Sequence, residues 1–201
     1  MPTQFYCATC DTFVGSVDCP NPNHAAPHKL ISGPQVATDT IVEYRGRIVL
    51  ILRAKPGESE EGKWALPGGY MNYRERCVDS AVREAREETG LDLASVALFG
   101  VYDDPRRDMH SDRNTIAIVY TGVGIGELHR EDEDGEVSAV RGFTREEIED
   151  RCFSPLHRGA EHPCLAVGGN LDPERFLTGE FALAFDHDRI LRDYFASRHG
   201  L

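Results

Sequence analysis

From Gln35 onward the chain takes up a two-residue alternation. "VATDTIVEY" and "RIVLILRA" flank Arg45-Gly46, which predicts a hairpin with a tight turn. "KPGESEEGK" is a polar loop, and "WALPGGY" predicts a short strand closed by Pro67, Gly68 and Gly69. The period then changes. Between Arg76 and Thr89 the residues Val78, Ala81, Val82 and Ala85 recur at helical spacing, and Gly90 supplies the stop. "ASVALFGVYDD" and "NTIAIVYTGV" read as the next strands, joined by the loop "PRRDMHSDR". "VSAVRGF" is a further strand that runs into "TREEIEDR", where Thr144 and Glu147 fit a capping box. "CFSPLHRGAEHPCLAVGGNLDPERFLTG" has no clear period, and "FALAFDHDRILRDYFASR" is predicted as an amphipathic helix that ends the chain. Strands, one helix, more strands and then helices imply a mixed sheet with helices packed on its faces.

Ahead of Gln35 the pattern fails. "CATCDTFVGSVDCPNPNHAAPH" has many turn formers and little apolar periodicity, so it cannot bury a core of its own and needs a metal to hold it. The expected division is therefore a small metal-binding segment over residues 1–33 and a larger domain over 34–201. Cys7-x2-Cys10 supplies half of a zinc knuckle, and Cys19 with His24, or with His28 instead, completes a tetrahedral structural Zn²⁺ site. The other reading is a redox pair or free thiols at Cys7 and Cys10.

Charge narrows the partners. With 22 basic and 34 acidic residues the net charge is −12, which opposes binding to a bare nucleic-acid backbone. A small phosphorylated ligand stays open if metal ions mediate. No apolar run is long enough to span a membrane, and "MPTQFYCATC" lacks the basic and apolar regions of a secretion signal. The expectation is a soluble, cytoplasmic protein without membrane or nucleic-acid partners, and a homodimer is compatible with it.

The chemistry concentrates in "REAREETGL", from Arg83 to Leu91. Residues three and four apart share a helix face, so Glu84, Glu87 and Glu88 project together. Like charges about 4 Å apart cost on the order of 4 kcal/mol per pair at an effective dielectric near 20, so something must offset them. A Mg²⁺ or Mn²⁺ ion does this while bridging the carboxylates to a phosphate. Gly69 stands six positions before Glu75, and Glu75 eight before Arg83. With these spacings the chain resembles the Nudix hydrolases, whose signature G-x5-E-x7-R-E-U-x-E-E-x-G-U, with U apolar, is met at every fixed position and has Ala85 as its first U.

That resemblance implies a Nudix-type α/β/α sandwich with a central mixed sheet. It also implies Mg-dependent hydrolysis of the pyrophosphate bond in a nucleoside diphosphate derivative, by water attack at phosphorus. Carried over by position, it makes Glu84, Glu87 and Glu88 the cation ligands. Arg83 orients a neighbouring glutamate through a bidentate pair, Glu75 is that partner or an outer ligand, and Gly69 approaches by its backbone carbonyl. "DDPRRDMHSDRNT", with Pro105, resembles the ADP-ribose pyrophosphatases, as does the closing "LAFDHDRI". This points to ADP-ribose or a related nucleotide sugar as substrate, giving AMP and a sugar phosphate. Arg106, Arg107 and Arg113 are the candidates for phosphate or ribose contacts. The acidic loop "ELHREDEDGE" offers Glu131, Glu133 and Glu136 as general base, with Glu133 preferred.

Three other readings compete. The zinc-bearing front resembles NADH pyrophosphatases, although the second CxxC and the S-Q-P-W-P-F-P run of that group are missing. A nucleotide sensor that binds without cleaving has no need of the complete glutamate set. A zinc-stabilised interaction module does not explain the spacing from Gly69 to Glu75.

Overall fold

The computed structural model describes residues 5–7, 12–14, 34–57, 59–105, 107, 114–128, 135–152 and 182–198. The chain divides into two compact units, Met1–Pro34 and Gln35–Leu201. In the first, β1 (Phe5–Cys7) and β2 (Thr12–Val14) form a two-stranded antiparallel hairpin. Cys7 is the last residue of β1, while Cys10, Cys19, His24 and His28 lie outside the described residues.

Among the described residues the second unit holds a seven-stranded mixed sheet. β3 (Gln35–Tyr44) and β4 (Arg47–Arg53) form the expected hairpin around Arg45 and Gly46, both at positive φ. The two strands pair only near the turn and then part. β5 (Trp64–Ala65) takes the freed edge of β4 and β6 (Gly68–Tyr70) that of β3. The single strand read from "WALPGGY" is thus two, because Leu66-Pro67 crosses the gap between them. β8 (Thr115–Ile125) runs parallel to β3 on its other side, with β7 (Asp92–Tyr102) antiparallel beyond it, and β9 (Val137–Phe143) pairs with β4.

Both faces of the sheet are covered, which explains why β3 is buried nearly end to end. On one face α1 (Cys77–Thr89) lies over Val42, Tyr44, Val49 and Leu91. Its buried residues Ser80, Ala81, Ala85 and Thr89 are small, so the helix axis comes close to the strands. Gly90 ends it in the left-handed region, its N–H donating to the Arg86 carbonyl. On the other face α2 (Arg145–Cys152) and α3 (His187–Ser197) pack on Ile41, Leu50, Trp64 and Phe143 through Ile148, Ile190 and Leu191. The capping box forms: the Thr144 N–H donates to Glu147 Oε2 at 2.8 Å and the Glu147 N–H to Thr144 Oγ1 at 3.2 Å.

The last helix is shorter than its sequence pattern. It begins at His187 because the backbone of Ala182–Ala184 is drawn onto the edge of β5, through Trp64 N–H to the Ala182 carbonyl at 2.9 Å and Ala184 N–H to the Trp64 carbonyl at 2.7 Å. Phe185, at φ +53°, then turns the chain into the helix. Among the described residues no helix is long and apolar enough to cross a membrane.

Candidate active site

The parting of β3 and β4 places Pro67-Gly68-Gly69, the glycine turn where the crossing chain enters β6, directly against α1. Its glycines are steric requirements. A Cβ on Gly69 would stand 2.6 Å from Glu84 Oε1, and one on Gly68 would stand 2.6 Å from Asp39 Oδ1. The Gly68 N–H donates to Glu88 Oε2 at 2.8 Å. The turn therefore receives two of the three α1 glutamates, one against its α-carbon and one on its amide.

Arg83 organises the same face. It holds Glu75 in a bidentate pair, Nε to Oε1 at 2.8 Å and Nη2 to Oε2 at 3.0 Å, and its Nη1 reaches Glu84 Oε1 at 2.7 Å and Glu87 Oε2 at 2.9 Å. Nη2 also lies 3.4 Å from the Tyr70 carbonyl, so the guanidinium bridges β6 and the helix. Glu75 accepts a further bond from the Asn72 N–H. The Arg83 hydrogen bonds pull the Glu75 carboxyl down to about 2, against the opposing effect of burial. The Arg83 guanidinium is pushed up, chiefly by its bond to Glu75.

Glu84 and Glu88 have the opposite electrostatics. Burial raises the Glu84 carboxyl, with Arg83 opposing and the charges of Glu87 and Glu136 adding to the rise. Burial pushes Glu88 well above the carboxylate range, and Glu84 and Asp39 add to this while the Gly68 amide resists. Burial raises both carboxyls, and Glu84 raises Glu88 further, so added positive charge would favour their ionised forms. A hard divalent cation, which takes oxygen ligands, fits that donor set, with Glu87 at the exposed rim as a third. Among the described residues no three acidic, histidine or cysteine side chains already stand as a finished cage. Instead, Glu75, Glu84 and Glu87 converge on Arg83.

Arg106, Arg113 and Glu133 lie outside the described residues. Arg107, expected at ligand oxygens, has other partners. It is 7% exposed, with Nη2 donating to Asp39 Oδ2 and Nη1 to Asp186 Oδ1. A guanidinium shared by the buried Asp39 carboxylate and the partly buried Asp186 carboxylate is not free for a phosphate. The need arises at Asp39, an acid in a strand covered on both faces, which burial would raise and which Arg107 and His187 hold low instead. The sequence reading missed this cluster of Asp39, Asp186 and His187. Its signal was the acid in the middle of "VATDTIVEY", Asp39, which demands a buried partner wherever the strand is internal.

Comparison with known proteins agrees with the geometry. The NUDIX domain model matches residues 33–162. The ADP-ribose pyrophosphatase of Methanocaldococcus jannaschii is 31% identical over 173 residues, covering 86% of this chain and 80% of that one. Among solved structures, a MutT/nudix family protein from Enterococcus faecalis superposes with a TM-score of 0.57 at 22% identity, covering 83% of this chain and 62% of that protein. The NUDIX domain of Shewanella oneidensis NrtR, solved with ADP ribose, gives 0.57 at 15% identity, over 83% of this chain and 90% of that one. With the glutamate helix docked on its glycine turn, and a family match along most of the chain, this protein belongs to the Nudix family and is a pyrophosphohydrolase.

Proposed function

We propose that the protein hydrolyses the pyrophosphate bond of ADP-ribose or a related nucleotide sugar, with Mg²⁺ or Mn²⁺, and releases AMP and a sugar phosphate. The observation that carries the substrate class is the relation to an ADP-ribose pyrophosphatase along 80% of that enzyme's length. The carboxyls of Glu84 and Glu88, both raised by burial and both set against Gly68 and Gly69, support the metal requirement.

In this reading Glu84, Glu87 and Glu88 hold the cation. When bound, it neutralises phosphate oxyanions and acidifies a coordinated water. Arg83 keeps Glu84 and Glu87 turned to one side and is itself held by Glu75. The base that takes the proton of the attacking water is Glu133, on the loop between β8 and β9. Three positions further along the chain, the described Glu136 has a charge that acts on Glu84 and a carboxylate that accepts from Lys55 Nζ at 2.5 Å. Arg106 and Arg113, on the loop between β7 and β8, serve the phosphate or ribose oxygens.

The test is product analysis with ADP-ribose and Mg²⁺, with NADH in parallel. Release of AMP and ribose 5-phosphate from ADP-ribose, at a kcat/KM above that for NADH, is expected. Faster cleavage of NADH, or binding of ADP-ribose without cleavage, would overturn it.

A further inference from the structure

The buried ion cluster lies directly beneath the glycine turn. It gathers Asp39 from β3, Arg107 from the connection between β7 and β8, and Asp186 and His187 from the start of α3. Contacts from the cluster and from the adjoining β3 backbone lead to one peptide stretch. His187 Nδ1 accepts the Leu66 N–H at 2.9 Å. The Pro67 carbonyl accepts the Thr40 N–H at 2.8 Å. The Asp39 carboxylate packs on the α-carbon of Gly68, its register partner across β3 and β6. Around Pro67 the chain is thus held by His187 at Leu66, by the β3 backbone at Pro67 and by the close approach of Asp39 at Gly68, whose N–H is the one that holds Glu88. Phe185 closes the arrangement, with the Arg107 and Arg53 guanidinia 5.3 Å and 5.2 Å from its ring centre.

A buried ion pair is poor evidence of added stability, because desolvation can exceed the attraction. Its geometric effect is another matter. A planar guanidinium bonded to two carboxylates fixes both of them, which a lysine ammonium does not.

We propose that Arg107 is a positioning residue of the active site: by fixing Asp39 and Asp186 it sets the Leu66–Gly69 turn against α1, and so the places of Glu88 and Glu84. This rests on the reading of those glutamates as cation ligands. Arg107 touches neither substrate nor metal in this role. Its effect passes through the Gly68 amide and the Gly69 α-carbon.

The experiment measures Mn²⁺ binding to the full chain without substrate, by the paramagnetic resonance of free Mn²⁺, alongside kcat on ADP-ribose. It compares wild type, R107K and D186N. R107K keeps a buried charge but loses the planar two-sided grip, whereas D186N leaves the Arg107–Asp39 pair in place. R107K is expected to weaken Mn²⁺ binding and lower kcat about 10- to 100-fold, the range for partners that orient metal ligands. D186N is expected to shift both in the same direction by less. Folded variants that melt lower yet bind Mn²⁺ and turn over as wild type does would overturn the proposal. If R107K does not fold, D186N decides by the same criterion. Wild type that fails to bind Mn²⁺ would overturn the cation reading as well, whereas wild-type binding with both variants unaltered overturns the positioning role alone.

Discussion

Gly69 and Glu84 pack so closely that a methyl group on the glycine would lie 2.6 Å from one carboxylate oxygen and 2.7 Å from its carbon. The obstructed atoms are the free end of a flexible side chain, not backbone. Gly69→Ala should therefore fold, with a melting temperature within a few degrees of wild type, while Glu84 is forced out of place. Activity is expected to fall by more than about tenfold, the usual consequence of displacing a metal ligand. A variant with wild-type kcat and metal dependence would show that Glu84 does not act from this position.

Arg83 and Glu75 should behave as one unit. R83K keeps the charge but loses the bidentate geometry, and E75Q loses the charge while keeping the shape. Each should lower kcat about 10- to 100-fold. The double variant should be little worse than either single one, because residues that share an interaction are not additive. Fully additive losses in a double-mutant cycle would separate their roles.

Glu88→Gln tests the buried carboxyl from two sides. The amide oxygen can still accept the Gly68 N–H, and the variant removes a charge that burial disfavours. In EDTA it should melt higher than wild type, by about 1 to 3 kcal/mol of stability, at roughly 2 to 4 °C per kcal/mol for a domain of this size. With Mg²⁺ it should lose most of kcat. Calorimetry in both buffers checks the first half and product release the second; a lower melting point in EDTA would contradict the placement.

Tyr194 sets an alkaline limit. Burial, and then its bond to the Glu43 carboxylate at 2.5 Å, push its hydroxyl up to about 12 from 10.0, with Arg198 opposing. The folded value lies above the unfolded one, so this contribution is complete below pH 10 and is lost as pH rises through 12. Wild type should lose stability faster than Y194F between pH 10 and 12, as urea midpoints would show; parallel curves would refute the assignment.

The C-terminal helix shows where local pattern stops being sufficient. "FALAFDH" has the apolar spacing to extend α3, yet the backbone of Ala182–Ala184 bonds to Trp64 instead. The edge of β5 offers backbone hydrogen bonds to these residues, and no window of neighbouring sequence contains that edge. The division of "WALPGGY" has the same cause, since only the parting of β3 and β4 creates two edges for it.

What the sequence by itself determined is the local part. The hairpin at Arg45-Gly46, the capped start of α2, the stop at Gly90 and the glutamate face of α1 each depend on residues a few positions apart, where spacing alone fixes direction. The spacing from Gly69 to Glu75 to Arg83 also carried the family, and with it the sandwich. The tertiary structure decided which partners those groups meet. It put Glu84 on the α-carbon of Gly69 and Glu88 on the amide of Gly68, and it withdrew Arg107 from the ligand loop into a cluster with Asp39 and Asp186. Burial in a sheet covered on both faces makes an unpaired Asp39 costly, and the partner that answers it is 68 positions away in the chain. Charge pairing inside a core is set by which strands become internal, and that is a property of the whole fold.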